Sequence, residues 1–523
     1  MTLLSPASVT EGRPPPRHGN ALWWSTLLGL CLVLLAPLTI VEVPPLLDYP
    51  NHLARLFVLA SGDADPVLRQ FYGPHWGIIP NLALDVTVPP LLRLWPVHAV
   101  GRVVLGIILL LPVLGAAAYH RALSGRLSFW PLGAALFAYN AALLRGFLNF
   151  VIAEGLALLL AAVWVAWRET RPLTAILTAA LGATALFFCH LIGLLCFAIL
   201  IGAHELAWLL NTPGWRGRPV LRRAGVVALV FAGPALLYAL SDLGHLAGGA
   251  DFRSVLSKAR TAVTPVINYL WPLDLATAAL CVLTAILCVA RRWCVIPLQA
   301  GVALAVLVAL FLGLPHAFKQ TFDLDTRFII MAAAMAPAAL VPVAVPRRAA
   351  WIIGIGFLLL FGARMGVLMT NWAAWRGELA GLRAVIASVR PGDAVMTFRL
   401  PRAPDPSIWD PRPRPRLLSD GTLTDAHFPA LLVIEHRAWW PFLFDIPSQQ
   451  PIETHEPFRT LTTWIDTSPD PVSLLTRGDV PGIERITHVL MLGVGRTAST
   501  DGLEPVASNE RATLFRVPRV SRR

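Results

Sequence analysis

The segment "LLDYPNHLARLFVLA" (residues 46–60) directly follows the first long apolar run of the chain. It places four polar side chains within eight residues: Asp48, Asn51, His52 and Arg55. Polar groups at the end of an apolar run face bulk water, a lipid headgroup layer or a buried site, and each environment implies a different fold. The composition of the whole chain distinguishes between them.

Hydrophobic residues dominate the composition. They make up 56% of the 523 residues, whereas charged residues make up 14%, far to the apolar side of soluble domains. A helix needs about 20 apolar residues to cross a hydrocarbon core of about 30 Å. Eleven such runs occur, near 22–43, 99–119, 128–144, 147–167, 172–189, 191–210, 224–241, 274–290, 294–313, 327–345 and 349–370. The expected fold class is therefore a polytopic all-α membrane domain of about eleven transmembrane helices.

Arginines mark every second loop between these runs. Short loops rich in Lys and Arg stay on the cytoplasmic side. The arginines are Arg13, Arg17, Arg121, Arg126, Arg168, Arg171, Arg216, Arg218, Arg222, Arg223, Arg291, Arg292, Arg347 and Arg348. The pattern predicts a cytoplasmic N-terminal tail (1–21), a transmembrane domain (22–371) and a periplasmic domain (372–523). Because the chain is rich in Arg and Ala, as GC-rich bacterial genomes encode, the predicted location is a bacterial inner membrane.

Charge and cysteine content narrow the choice of partners. A net charge of +12 would suggest nucleic acid in a soluble protein, but the loop arginines account for it, so no nucleic-acid partner is expected. All six cysteines lie in or beside predicted spans, and the CxxC spacing of zinc or redox sites is absent. The sequence therefore predicts neither a disulfide framework nor a zinc site.

Three exterior loops are too long or too polar to be simple connections: 44–98, which includes the amphipathic piece "NLALDVTVPPLLRLW", 242–272, and "LPHAFKQTFDLDTRF". The first exterior loop, 44–98, contains the opening segment, whose apolar spacing predicts a short helix lying on the membrane surface. Beyond residue 371, an amphipathic helix is followed by a Pro-Gly turn and a strand, and "HVLMLGV" and "ATLFRVP" are typical of further strands. These features predict a small α/β exterior domain, with a proline-rich loop at "PRAPDPSIWDPRPRPRLL".

Asp48 has two interpretations. An aspartate just before a helix caps its free N–H groups and contributes about 1 kcal/mol. Alternatively, sugar transfer from a lipid phosphate to a hydroxyl needs a base to take the hydroxyl proton, together with cations or N–H groups that hold the departing phosphate. A lipid-anchored donor cannot leave the bilayer, so such a carboxylate belongs on the first exterior loop near a span end.

Four further polar residues lie near the same side. Arg145 and Asn149 flank the exterior turn "RGFLNF" and are candidates for binding a donor phosphate or, alternatively, for reaching the lipid interface. Glu154 lies inside a predicted span, where an unpaired carboxylate is costly unless it serves a site. His190 lies at an outer span boundary, as a phosphate or substrate contact or as an ordinary interfacial residue.

The loop "HAFKQTFDLDTRF" carries the densest charge. Asp323 and Asp325 have a DxD spacing that could bind a divalent metal through hard oxygen ligands. Lys319 and Arg327 are candidate phosphate ligands, and Arg327 is preferred. The alternative is a set of ion pairs that ties the loop to the next span. A divalent metal is the one cofactor that these residues suggest.

The arrangement resembles the GT-C glycosyltransferases, which include protein O-mannosyltransferases, lipid A aminoarabinose transferases and rhizobial lipopolysaccharide galacturonosyltransferases. The shared features are a cytoplasmic start, an acidic residue just after the first span, a long first exterior loop and an exterior C-terminal domain. The resemblance implies a polyprenyl-phosphate sugar donor and Asp48 as general base; the expected acceptor is a lipid or glycan. His52 and Arg55, beside Asp48, are candidate substrate-binding residues, and the alternative for Arg55 is that it reaches the lipid interface. Tyr49 follows Asp48, where many members have a second acidic residue.

Two other functions remain open on the sequence alone. A transporter would also be polytopic, although broken helices in matching halves and charges near the bilayer midplane are then expected. A non-catalytic scaffold of envelope polysaccharide assembly would have no use for Asp48. The polar residues of this chain lie mainly at the outer ends of spans, which favours chemistry at the interface.

Overall fold

The computed structural model describes residues 17–212, 217–241, 243, 248–319, 321–400, 412–446, 448–468, 470–477, 479–493 and 500–518. Residues 1–16, Arg216 and most of the proline-rich segment (401–411), on which parts of the sequence predictions rest, lie outside the described residues.

The described polypeptide is mainly helical. Its α-helices are α1 (Arg17–Leu35), α2 (Pro37–Ile40), α3 (Tyr49–Ser61), α4 (Ala83–Thr87), α5 (Pro89–Leu92), α6 (Val97–Ser124), α7 (Ala141–Arg145), α8 (Leu148–Trp167), α9 (Pro172–Cys189), α10 (Leu191–Asn211), α11 (Arg218–Leu240), α12 (Val255–Thr261), α13 (Trp271–Ala290), α14 (Leu298–Gly313), α15 (Thr326–Ala339), α16 (Arg347–Ile386), α17 (Leu431–His436), α18 (Phe458–Thr467) and α19 (Pro471–Leu475). The strands are β1 (Tyr72–Pro74), β2 (Ala250–Asp251), β3 (Cys294–Val295), β4 (Ala317–Phe318), β5 (Val341–Pro342), β6 (Val395–Arg399), β7 (Ile452–Thr454), β8 (His488–Leu492), β9 (Glu504–Ser508) and β10 (Ala512–Arg516).

Eight helices of the described residues are long and apolar enough to cross a membrane: α1 with α2, α6, α8, α9, α10, α11, α13 and α16. Two further predicted spans form the shorter apolar helices α14 and α15. They are shorter because β3, which precedes α14, pairs antiparallel with β5, which follows α15. The prediction of a multi-pass helical membrane domain is confirmed.

The run 128–144 does not form the predicted transmembrane α-helix. It forms a 3₁₀ segment, Trp130–Phe137, followed by the short helix α7. Asn140 separates the two, because its backbone is extended and its side chain accepts a hydrogen bond from the N–H of Leu143. Since a 3₁₀ helix rises about 2.0 Å per residue, this segment covers more distance than an α-helix of equal length. It packs against α6 and α15.

Small residues let α6 and α8 approach closely. A Cβ atom added to Gly155 would lie 2.5 Å from the backbone of Leu111, and one added to Gly115 would lie 2.7 Å from the carbonyl oxygen of Gly155. Such glycine contacts are a common basis of helix packing in membranes. They fix the position of α8, which carries Asn149 and Glu154.

The longest helix, α16, connects the membrane domain to the C-terminal domain, which is named the exterior domain because the sequence predicts that location. Its 40 residues run without a break through residue 371, so the last predicted span and the predicted amphipathic helix are one rod of about 60 Å. Within it, Arg364 forms a buried ion pair with Asp274 of α13 at 2.8 Å. Asp274 also accepts a hydrogen bond of 2.5 Å from Ser419 of the exterior domain. Exterior and membrane domains thus share one polar network.

A four-stranded sheet of order β6-β8-β10-β9 forms the base of the exterior domain. Strands β6 and β8 are parallel, and the other neighbours are antiparallel. The predicted strands at "HVLMLGV" and "ATLFRVP" correspond to β8 and β10, which confirms a small α/β domain. In addition, β1 of the first exterior loop pairs with β7 of the exterior domain, so the two segments form a common layer.

Glu435 of α17 fastens the exterior domain to the first loop. It accepts a hydrogen bond of 2.6 Å from Arg383 and lies 3.0 Å from Nε2 of His98. Arg383 also pairs with Glu42 at 2.8 Å. Burial alone raises the pKa of Glu435, but the hydrogen bonds from His98 and Arg383 outweigh it and hold that pKa at about 2.

The change Glu435→Gln is expected to weaken this attachment. A carboxylate with a lowered pKa stabilises the fold fully above its unfolded pKa of about 4.3, and this contribution is lost as the pH falls towards 2. We expect the variant to be less stable by about 1–3 kcal/mol at pH 7, with the difference from the parent shrinking below pH 4. Thermal unfolding of the purified full chain at pH 7 and pH 3 measures this. An equal difference at both pH values would contradict it.

Candidate active site on the exterior side

Asp48 lies at the start of α3 without capping it. Its side chain makes no capping hydrogen bond, and its backbone is helical, with φ −90° and ψ −10°. The cap interpretation is therefore wrong for the side chain, although the backbone carbonyl of Asp48 accepts the N–H of His52 at 2.9 Å. The carboxylate is mostly buried and is left available for another partner.

The backbone of Asp48 rests on the exterior turn that ends α7. The N–H of Leu47 donates to the carbonyl of Leu144 at 3.0 Å, and the N–H of Asp48 donates to the carbonyl of Arg145 at 3.1 Å. Gly146 follows with φ +86°, and a Cβ atom there would lie 2.8 Å from the backbone nitrogen of Asp48. Because only glycine suits both the angle and the contact, this turn fixes the position of Asp48.

Among the described residues, His427 of the exterior domain is the titratable side chain that lies within ion-pair distance of the Asp48 carboxylate. Its Nδ1 lies 2.9 Å from Oδ1 of Asp48. The ring of Phe444 meets the rings of both His427 and His52 edge-on, each at 5.2 Å between centroids. The exterior domain therefore covers the start of α3 and contributes a titratable group to the site.

His52 and Arg55 belong to a buried network beneath Asp48. Arg55 is 1% exposed and forms two hydrogen bonds with Asp85 of α4, of 2.7 and 3.1 Å. The expectation that Arg55 reaches the lipid interface is wrong, because Asp85 neutralises it inside the protein. Burial, with the charge of Arg55 and the nearby His427, lowers the pKa of His52 well below its usual value. His52 is consequently neutral and lies 3.1 Å from Arg55.

Arg327 is a buried guanidinium without an ion pair. Its residue is 8% exposed, and it forms no hydrogen bond or ion pair with any residue that the structure describes. It lies over the rings of Phe147 and Phe150, at 4.9 and 5.9 Å from their centroids. Asp48 and Asp323 are near enough to act on it electrostatically. A buried cation in this state is suited to an anionic ligand.

His190 lies beside Arg327 at the junction of α9 and α10. Its Nδ1 accepts a hydrogen bond of 3.1 Å from the N–H of Ile192 and so caps α10. Because Nδ1 accepts, the proton of the neutral ring is on Nε2, which can donate to an anion. The ring packs edge-on against Phe150 at 5.5 Å. His190 and Arg327 thus flank the same aromatic side chain.

Arg145 does not extend to the lipid interface. It forms ion pairs with Asp323 at 2.6 Å and with Asp420 of the exterior domain at 2.7 Å. Asp323 also pairs with Arg253 at 2.7 Å. Arg145 therefore joins three exterior segments, and its guanidinium is already occupied by two carboxylates.

Asp325 is likewise held by cations. It is fully buried, pairs with Lys258 at 2.6 Å and accepts the N–H of Thr326 at 2.9 Å. No group of three or more His, Cys, Asp or Glu side chains suited to a metal ion occurs in the described part of the chain. This arrangement fits the ion-pair alternative for the DxD spacing better than a metal site. Lys319 follows β4 in this loop, with its N–H bonded to Gly249.

Asn149 and Glu154 are both buried on α8. Asn149 donates a hydrogen bond of 2.7 Å to the carbonyl of Asn81 in the first exterior loop, so it supports that loop. Neither carboxylate oxygen of Glu154 has a hydrogen-bond partner among the described residues. Glu154 also forms no salt bridge with any described residue. Its role in substrate binding stays a prediction.

Three residues of the site escaped the sequence analysis: Asp85, Asp420 and His427. Asp85 lies in a recognised amphipathic segment, and its sole sequence signal is an acid on an otherwise apolar helix. The other two lie more than 370 positions from Asp48 and are brought near by docking of the exterior domain. A single sequence carries no signal for such a pairing.

Comparison with solved structures identifies the fold. The crystal structure of ArnT from Cupriavidus metallidurans bound to undecaprenyl phosphate is similar over 95% of this chain and 98% of ArnT, with a TM-score of 0.55 and 12% identity. Arabinofuranosyltransferase AftD from Mycobacteria is similar over 94% of this chain but 40% of its own, with a TM-score of 0.48 and 15% identity. No family model and no curated protein sequence matches. The likeness to ArnT confirms the predicted GT-C fold.

Gly146→Ala is expected to displace Asp48. The new Cβ atom would strike the Asp48 backbone at a positive φ, which costs about 1–3 kcal/mol of folding free energy. Gly125→Ala is the matched control, since Gly125 has φ +72° but nothing within 4 Å of an added Cβ. Thermal unfolding should show a clearly larger loss for Gly146→Ala. Equal losses would mean that the contact with Asp48 does not constrain the turn.

Proposed function

We propose that this chain is a membrane glycosyltransferase that moves a sugar from a polyprenyl-phosphate donor to a lipid or glycan acceptor at the outer face of a bacterial inner membrane. Two observations carry the proposal: the carboxylate of Asp48 caps no helix, and the buried guanidinium of Arg327, unpaired among the described residues, is near enough for the charge of Asp48 to act on it. Sugar transfer from a phosphate requires one group of each kind.

Asp48 is the proposed general base. As the acceptor hydroxyl attacks the anomeric carbon, its proton passes to the carboxylate, the new C–O bond forms and the bond between the sugar and the phosphate oxygen breaks. A carboxylate that already capped a helix would be a poorer proton acceptor. The backbone contacts with the exterior turn hold Asp48 in place, which favours a fixed geometry for this transfer.

Arg327 and His190 are the proposed ligands of the departing phosphate. The phosphate gains negative charge as the glycosidic bond breaks, and a preorganised cation in a water-poor site stabilises that charge strongly. Arg327 has no competing carboxylate at ion-pair distance in the described residues, unlike Arg55 and Arg145. His190 contributes an Nε2–H donor.

The location of the site supports a lipid-linked donor. Arg327 is at the start of α15, His190 lies between two candidate spans and Phe147 directly precedes α8. The reactive carbon of a polyprenyl-phosphate sugar must remain at the membrane interface, where these ends are predicted to lie. The structural neighbour ArnT was crystallised with undecaprenyl phosphate, which makes that lipid a suitable probe.

The test is mass spectrometry of envelope glycolipids and glycans from cells that lack this protein. We expect one sugar mass to disappear in these cells and to return when the wild-type chain is supplied. With Asp48→Asn, the amount of that product should be at least about 100-fold lower than with wild type. Asp466→Asn is the matched control, because Asp466 is exposed on α18. Membrane levels of all three chains are equalised by immunoblot.

Two outcomes would contradict the proposal. If Asp48→Asn restores the product as well as wild type does, Asp48 is not the base and a non-catalytic scaffold is favoured. If the deletion changes where a glycan accumulates without removing a sugar from it, a transporter is favoured.

Arg327→Gln is expected to weaken binding of undecaprenyl phosphate by about 10- to 100-fold, because a charge-assisted contact with the phosphate is lost. Arg376→Gln is the control, since Arg376 is exposed on α16. Native mass spectrometry of the full chain in nanodiscs measures both dissociation constants. Unchanged binding by Arg327→Gln would exclude Arg327 as a phosphate ligand.

A further inference from the structure

The carboxylate of Asp48 has one charged or titratable neighbour at contact distance among the described residues, and it comes from the other domain. Nδ1 of His427 lies 2.9 Å from Oδ1 of Asp48, but the ring is turned so that Nδ1 makes no hydrogen bond. The two side chains are 25% and 14% exposed. In sequence they are 379 positions apart. The contact therefore exists only when the exterior domain is docked on the first exterior loop.

The loop that carries His427 is anchored on both sides. Two residues before it, Asp425 accepts a hydrogen bond of 2.5 Å from Arg416. Directly after it, Phe428 packs edge-on against Trp375 of α16 at 4.5 Å. Trp375 in turn donates to the carbonyl of Val43, just before the Asp48 segment, at 3.0 Å. The imidazole is therefore presented by a braced loop.

Aromatic rings confine the imidazole itself. Phe444 and Trp440 meet it edge-on, at 5.2 and 6.2 Å. The segment that carries these rings is bound to α3, because the N–H of Phe444 donates to the side chain of Asn51 at 2.8 Å and Asn51 donates to the carbonyl of Phe442 at 2.7 Å. The same helix that begins at Asp48 thus fixes the walls around His427.

A fixed backbone alone does not orient a carboxylate. Rotation about the side-chain bonds of Asp48 is free of any capping contact, so another group must select the position of its oxygens. An imidazole N–H beside one oxygen selects it and leaves the second oxygen for the acceptor hydroxyl. In such an arrangement the hydrogen bond orients the reacting group and stabilises its charge.

We propose that His427 is a positioning residue for Asp48, so that the exterior domain completes the active site. This inference rests on the proposed function. A rotation of the imidazole brings the Nδ1–H of His427 onto Oδ1 of the base, and Oδ2 then receives the proton of the acceptor hydroxyl. Loss of the imidazole leaves the donor lipid bound but allows the carboxylate to rotate away from the acceptor.

The test expresses three variants of the full chain in the deletion strain. The readout is the sugar product that disappears when this protein is deleted. We expect His427→Ala to lower the initial rate of product formation by about 10- to 100-fold. His427→Asn places an amide N–H near the position of Nδ1 and should recover most of that loss. His436→Ala is the control, because His436 lies in the same domain against the carbonyl of Val389, and it should behave as wild type.

A second readout separates positioning from loss of structure. Binding of undecaprenyl phosphate to the purified full chain should stay within about 3-fold of wild type for His427→Ala. Equal rate losses in the Ala and Asn variants would overturn the proposal, since packing alone would then explain them. A wild-type rate for His427→Ala would also overturn it. If His427→Ala is not recovered folded, His427→Leu replaces it, since it fills the space without an N–H.

Comparing Asp48→Asn with His427→Ala separates the positioning role of His427 from the proposed function. If Asp48→Asn abolishes the product and His427→Ala does not, Asp48 acts without His427 and only the positioning role is lost. If Asp48→Asn keeps the product, both fail together.

Discussion

The hydrogen bonds from the N–H groups of Leu47 and Asp48 to the turn that ends α7 are the constraint on which this side of the molecule depends. They hold the segment before α3 against that turn, and Gly146 allows the two backbones to meet at a distance that any side chain would forbid. The side chain of Asp48 is then the sole part of that residue left to act. Arg327 approaches it from α15 and His427 from the exterior domain.

The cations around this junction differ in whether they are paired with a carboxylate, and this difference supports the proposed function. Arg55 and Arg145 each face a carboxylate within 2.7 Å, and Lys258 faces one at 2.6 Å. These pairs tie the exterior loops together, as buried ion pairs with good geometry do. Arg327 lacks such a pair among the described residues, although burying a lone guanidinium is costly. In the proposed function, a phosphate bound to Arg327 offsets that cost.

Much of the fold was predictable because apolar length and arginine-rich loops are local properties. The multi-pass helical domain followed from apolar length, and the α/β tail followed from the helix and strand patterns beyond residue 371. The 3₁₀ segment before Asn140 was not predictable, because hydropathy does not distinguish a 3₁₀ segment from an α-helix and does not detect a helix cap. The site residues also divide into those that local sequence indicates and those that depend on tertiary contacts. Asp48 and Arg327 stood out by their position near span ends, whereas the partner that occupies Arg55, namely Asp85, and the approach of His427 depend on tertiary contacts.

In the proposed function, Arg327 and Asp48 form one site for a lipid-linked phosphate sugar. The most direct measurement is a cryo-EM map of the full chain in nanodiscs with undecaprenyl phosphate. We expect phosphate density in contact with the guanidinium of Arg327 and Nε2 of His190, on the side that faces Asp48. Phosphate density elsewhere, with Arg327 unoccupied, would contradict it.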